Sequence, residues 1–214
     1  MAYKGIFWDF GGVIADSPFA NLGKLEQQMG LPTNFLRMTN AQNPDTNAWA
    51  QFERGDIDLD TFDRLFLEET RARGHAVNGK DLIPLLQVPV RPRMTAIITQ
   101  LSETYLQGCL TNNLPVGDGA AMSQDSAHAN DCAAVLEKFD FVLESSRAGC
   151  RKPEPVFFEK ALELAELAPE QVVFLDDLGI NLKPARAMGM TTIKVTSEEQ
   201  AIESLSETLG VSLP

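Results

Sequence analysis

Cysteine is scarce in this 214-residue chain: Cys109, Cys132 and Cys150 are odd in number and far apart. Their spacing excludes a paired-thiolate metal site and a disulfide framework, and it is the usage expected in a reducing cytoplasm. Long apolar runs are missing too. Nowhere do about 18 apolar residues follow one another, so no membrane-spanning helix is expected. The opening MAYKGIFWDFGGVI has one lysine, a short apolar run and an acidic break, and does not read as a signal peptide. Cations are in deficit, with 18 Lys and Arg against 30 Asp and Glu, a formal net charge of −12. So acidic a chain repels nucleic acid and anionic membranes. Any anionic substrate must then be held by local cations, either side chains or a metal. There is no internal repeat, and no low-complexity tract beyond the Gly-, Ser- and Asp-rich stretch 115–131.

What is present has the composition of an ordinary globular protein, 44% hydrophobic and 22% charged. The length suits one domain with a sizeable core, or a core carrying an inserted module. Five short apolar runs, at 4–10, 105–111, 139–145, 171–177 and 191–195, read as buried strands. Runs so uniformly apolar fit a parallel sheet covered on both faces. Helices are expected at 91–103, 153–167 and 181–189, with Pro153 and Pro184 placed in first helical turns. A further helix is expected near 132–138, after a loop at 115–131. The alternation predicts an α/β fold with a doubly wound, Rossmann-like parallel sheet. Residues 17–88 break the rhythm, and no strand is expected there. Asp58 and Asp60 stand where a helix would start. The expected organisation is a core of 1–16 and 89–214 with an all-helical insert, 17–88, standing over the sheet edge.

Chemistry in open parallel sheets collects at the carboxyl ends of the strands. The most polar strand ends are Asp9, Thr111-Asn112-Asn113, the turn leading to Lys152, and Asp176-Asp177. Each has a plain reading and a chemical one. Asp9 ahead of Gly11-Gly12 is either a turn residue or a group whose neighbouring backbone can approach a ligand. The LTNN segment either ends a strand through side-chain-to-backbone bonds or offers a hydroxyl and amides to phosphoryl oxygens. Lys152, fixed by the following proline, is either solvated or a counter-ion for carboxylates and phosphate. Asp176 and Asp177 either form a solvated acidic turn or share a site with Asp9. Sharing is unfavourable without a cation, and hard oxygen ligands beside a phosphate suit Mg²⁺. Asn181, four residues on from Asp177, is close enough to steady that loop by hydrogen bonding.

In this order, DFGGV with Asp9, LTNN with Thr111, RKPEP with Lys152 and FLDD with Asp176 and Asp177 resemble the four motifs of the haloacid dehalogenase superfamily of phosphohydrolases. The resemblance covers nearly the whole chain. ESSRAGCRKPEP and FLDDLGINLKPARAMGM are similar to the branch with the N-terminal phosphatase domain of soluble epoxide hydrolase and the like domain of acyl-CoA dehydrogenase-fused proteins. It implies that Asp9 attacks phosphorus to form an aspartyl-phosphate. It implies Mg²⁺ between Asp9, the Gly11 carbonyl and Asp177, with Asp176 binding directly or through water. Thr111 and the Asn112 amide would bind phosphoryl oxygens, Lys152 would offset charge, and the helical insert would be the family's cap, selecting a small phosphorylated metabolite. Phe19, Trp49, Phe52 and Arg54 are possible cap contacts, each equally readable as packing or surface.

One departure stands out. Where the family has a second aspartate two residues after the nucleophile, acting as general acid and base, this chain has Gly11. Losing a positioned acid typically costs ~10²–10⁴-fold, least for good leaving groups. Asp16, water, His75 and His128 are the possible substitutes. Two other readings stay open: a catalytically weak or inactive phosphate- or partner-binding homologue, which Gly11 favours, and carbon–halogen hydrolysis, which needs no Mg²⁺ and does not explain the acidic pair. The oligomeric state is open.

Overall fold

The structure is a computed structural model. It describes residues 2–116 and 126–214, and their side chains except those of 126–128. Five parallel strands form one sheet: β1 (Gly5–Trp8), β2 (Leu106–Thr111), β3 (Phe141–Glu144), β4 (Val172–Asp176) and β5 (Thr191–Lys194), in the order β3-β2-β1-β4-β5. All five lie inside the expected apolar runs. Residues of β1 alternate between faces, as extended backbone requires. Ile6 and Trp8 join one buried cluster with Ile97, Ile98 and Leu205, whereas Phe7 packs on the other face with Phe157, Phe158 and Phe174. Helices α5 (Pro92–Leu101), α6 (Ser126–Leu136), α7 (Ser145–Ala148), α8 (Pro155–Ala165), α9 (Gly179–Met188) and α10 (Glu198–Leu209) follow or join the strands. The fold is the α/β doubly wound class.

The register sets the site. Trp8 stands level with Cys109 on β2 and Leu175 on β4, and the Asp9 amide donates to the Leu175 carbonyl at 2.9 Å. Asp9, Thr111 and Asp176 therefore emerge from three adjacent strands within one residue of the same level.

Between β1 and β2 the described chain is helical: α1 (Phe19–Gln28), α2 (Phe35–Asn40), α3 (Ala48–Glu53), α4 (Leu59–Ala72) and a 3₁₀ helix, Gly79–Leu86. Asp58 caps α4, accepting from the Thr61 amide at 2.8 Å. The segment has its own core, in which Phe52 stacks on Phe62 at 4.5 Å between ring centroids, with Phe35, Leu36, Phe66 and Leu82 around them. Leu114 and Val116, just past β2, complete that core from below. The chain leaves and returns side by side: the Asp16 amide bonds the Pro89 carbonyl at 2.9 Å, and the Arg91 amide bonds the Ile14 carbonyl at 2.8 Å.

Three local expectations need correction. Pro184 lies in the second turn of α9, because that helix begins at Gly179, two residues before the expected start at 181. The carbonyl it leaves without an intrahelical donor belongs to Ile180, which is exposed to water. Pro153 precedes α8, whose first residue is Pro155. Helix α6 spans Ser126–Leu136 rather than 132–138, so the expected loop is shorter, and its part at 117–125 lies outside the described residues. No helix among the described residues is long and apolar enough to cross a membrane.

Candidate active site

Lys152 is the centre of the site. It is 1% exposed, and its ammonium donates to Asp9 Oδ1 at 2.8 Å, Asp176 Oδ2 at 2.9 Å and the Leu110 carbonyl at 2.7 Å. All three ammonium protons are thereby used. Burial alone would lower its pKa, but the carboxylates of Asp176 and Asp9 outweigh that and raise it, so Lys152 is a permanent cation here.

Asp9 differs between its two oxygens. Oδ1 accepts from Lys152 and from the Phe10 amide at 2.7 Å. Oδ2 has no hydrogen-bond partner among the described residues. Asp176, 0% exposed, is saturated: Oδ1 accepts from the Leu178 amide at 2.8 Å, Oδ2 from Lys152, and Asn181 Nδ2 reaches both oxygens at 3.1 and 3.0 Å. Asn181 thus does steady the acidic loop, through Asp176. Asp177 is half-buried, and its carboxylate accepts from its own backbone amide.

Each of these three carboxylates offers an oxygen within 4.8 Å of the others. Burial, then Asp176, push the Asp9 pKa well up against the pull of Lys152. For Asp177, burial and then Asp176 raise it to about 6, opposed by Lys152 and Arg91. Three carboxylates against one ammonium leave two charges unbalanced, which a single divalent cation removes. The donor set, all hard oxygens with one half-open carboxylate, fits Mg²⁺ better than a softer metal.

The two glycines after Asp9 differ in kind. Gly12 has φ +79°, and a Cβ there would clash with Asp177 Oδ2, so Asp177 closes directly over the turn. A Cβ on Gly11 would meet nothing within 4 Å. The position that lacks the acid therefore has room for one.

Thr111 ends β2, buried, and its hydroxyl has no hydrogen-bond partner among the described residues. Asn112 uses its side chain structurally: Oδ1 accepts from the Lys152 amide and Nδ2 donates to the Lys152 carbonyl, each at 2.9 Å. This reciprocal pair, 40 residues apart in the chain, fixes the backbone that carries the lysine. Asn113 ties β2 to β3 by donating to Glu144 at 2.8 Å.

The possible substitute acids are placed unevenly. Asp16 pairs with Arg91 at 3.0 Å. His75 packs edge-on against Phe35, with ring centroids 5.0 Å apart, inside the helical segment. The His128 side chain lies outside the described residues. Among the cap residues, Phe52 is core, Trp49 packs on Phe62 and Phe66, Phe19 lies under the Arg37 guanidinium, and Arg54 pairs with Asp56 and Glu154. Sequence reasoning missed Arg91, whose Nη1 donates to the Gly12 and Val13 carbonyls at 3.1 and 3.3 Å. It also missed Glu53 and Arg151, which pair with each other across the helical segment and the Lys152 loop. A cation directly before Lys152 was a signal for Arg151; neither of the others had one.

A family model described as haloacid dehalogenase-like hydrolase matches residues 3–189, and the chain belongs to that family. It is 32% identical to mouse acyl-CoA dehydrogenase family member 10 over 99% of this chain and 20% of that one. It is 30% identical to mouse bifunctional epoxide hydrolase 2 over 100% of this chain and 40% of that one. The chain thus spans less than half the length of either relative. Among solved structures, it resembles a family enzyme of Bacteroides thetaiotaomicron in complex with magnesium and inorganic phosphate. That likeness has a TM-score of 0.58 and 21% identity, covering 92% of this chain and 96% of the other.

Proposed function

We propose that the chain is a Mg²⁺-dependent phosphatase that hydrolyses a small phosphomonoester through Asp9. The observation that carries this reading is the asymmetry of Asp9, whose Oδ1 is pinned while Oδ2 is left unengaged beside the acidic pair. In this reading Oδ2 attacks phosphorus, the bond from phosphorus to the ester oxygen breaks, and the alcohol leaves with a proton. Water then attacks the aspartyl-phosphate, releasing inorganic phosphate and restoring the carboxylate. Lys152 favours the ionised form of Asp9 and offsets the incoming phosphate, while Thr111 and the Asn112 amide receive phosphoryl oxygens. Asp9, the Gly11 carbonyl and Asp177 would hold Mg²⁺, which supplies charge stabilisation for the phosphoryl group. Asp176, its oxygens already taken by protein donors, orients Lys152 rather than binding the metal directly.

Gly11 leaves no side chain to protonate the leaving group, so water or the substrate does so. Turnover should therefore favour phosphoesters whose leaving groups need little protonation, such as aryl, acyl or anomeric sugar phosphates. We also propose 17–88 as a cap on a core of 1–16 and 89–214. The adjacent crossings at Asp16–Pro89 and Ile14–Arg91 support those boundaries.

The same Gly11 favours one competing reading, a site that binds phosphate but turns over negligibly. Hydrolysis of p-nitrophenyl phosphate with Mg²⁺, with a chelator, and by Asp9→Asn separates the two. The phosphatase reading expects activity that both perturbations abolish. A folded, Mg²⁺-binding protein without turnover on this activated ester would sink it.

A further inference from the structure

Glu53 is the last residue of α3, and it is only 7% exposed. A carboxylate so buried is costly unless it is paired and hydrogen-bonded. Glu53 is both, and its partners lie on the core loops that build the site. Oε2 pairs with the Arg151 guanidinium and accepts from Asn112 Nδ2 at 3.4 Å. Oε1 accepts from the Trp49 indole at 2.8 Å, and the Glu53 carbonyl accepts from Ser145 Oγ at 2.6 Å.

The neighbouring contacts repeat the pattern with opposite sign. Arg54 pairs with Glu154 at 3.2 Å, so the helix end presents a negative then a positive charge to a loop that presents Arg151 and then Glu154. Arg151 also reaches back to the Pro44 carbonyl at 3.2 Å. Gly55 follows at φ +73°, where a Cβ would fall 2.5 Å from the Ser146 carbonyl oxygen. Backbone here rests directly on backbone, leaving no slack in the seat.

We infer that Glu53 is a positioning residue for the phosphoryl site, setting Asn112 and Lys152 from the helical segment; the inference rests on the phosphatase reading above. A carboxylate only accepts hydrogen bonds, so Glu53 requires the NH₂ of Asn112 to face it. That orientation is the one in which Asn112 grips both the amide and the carbonyl of Lys152. Arg151, one residue before Lys152, is held by the same carboxylate. Seating the helical segment thereby completes the loop geometry, and enclosing a substrate and assembling the site become one event. Surface ion pairs contribute little. This one is shielded and shares its acceptor with the site's own asparagine.

The test uses the full chain with Glu53→Gln, Arg151→Gln and the double variant, beside Arg64→Gln, which breaks the exposed Arg64–Glu68 pair, as the control. Glu53→Gln keeps the shape and removes the charge. With p-nitrophenyl phosphate and Mg²⁺, each single variant should lose ~10–100-fold in kcat, as a misplaced site does. KM should stay within about threefold, because the lost contacts matter most in the transition state. The double variant should resemble either single one rather than their product. Amide hydrogen exchange in 110–113 and 150–154 should rise at least ~10-fold in Glu53→Gln while β1 and β4 stay as in wild type. Wild-type kcat with wild-type exchange in those loops would overturn the inference. So would a loss spread evenly over the sheet, which is what simple destabilisation gives. If the wild-type chain itself turns nothing over, the phosphatase reading fails, and the exchange comparison alone still decides whether Glu53 sets the loops.

Discussion

The adjacent glycines after Asp9 make opposite predictions. Gly12 touches Asp177 and has φ +79°, so Gly12→Ala should displace that carboxylate. Thermal stabilisation by Mg²⁺ should fall with activity in this variant, and a wild-type Mg²⁺ response would mean that Asp177 holds no metal. Gly11 has open space, so Gly11→Asp should fold normally and supply the absent proton donor. Its gain should reach ~10²-fold on alkyl phosphates and be small on p-nitrophenyl phosphate. An unchanged dependence on leaving group in Gly11→Asp would show that protonation does not limit this site. At Lys152 the cost lies in stability. Lys152→Met leaves Asp9 and Asp176 facing each other without a cation. That should cost roughly 3–5 kcal/mol by denaturant unfolding in a chelator, more than Mg²⁺-saturated protein loses.

Secondary elements were the most legible level, because a strand buried on both faces announces itself as a near-continuous apolar run. VVFLD and GIFW needed no tertiary information, and the order of polar strand ends indicated which side chains would meet. Helix starts were less legible. Helix α9 begins at Gly179, just after the Leu178 amide turns back to Asp176 Oδ1, a bond that a single sequence does not report. Asn112 shows the further limit. Its side chain is committed to Lys152, 40 residues on, and to Glu53, 59 residues back, and one sequence carries no record of such pairings. A test confined to this level is Asp58→Ala, which removes the α4 cap. It should cost about 1 kcal/mol and leave kcat unchanged, since it touches only the helical segment. A large kcat effect would place α4 closer to the chemistry than its contacts do.

Across the whole molecule, a net charge of −12 makes local cations decisive, and the site concentrates that problem. Asp9 and Asp177 both hold protons more tightly in the folded chain than an ordinary carboxyl does. Such groups favour the fold fully below their unfolded pKa of roughly 3.9, and the favour is lost as pH rises through the folded value. For Asp177 that value is about 6. Metal-free protein should therefore lose thermal stability between about pH 4 and 6, and Mg²⁺ should restore it increasingly over the same interval. A Mg²⁺ effect independent of pH would argue that the cation binds elsewhere.

Mass spectrometry of the peptide containing Asp9, acid-quenched during turnover of excess p-nitrophenyl phosphate with Mg²⁺, reads the proposed chemistry directly. If Asp9 is the nucleophile, that peptide gains one phosphoryl group, and the Asp9→Asn protein shows neither the gain nor turnover. Turnover that persists in Asp9→Asn, or a phosphoryl group found on another residue, would contradict it.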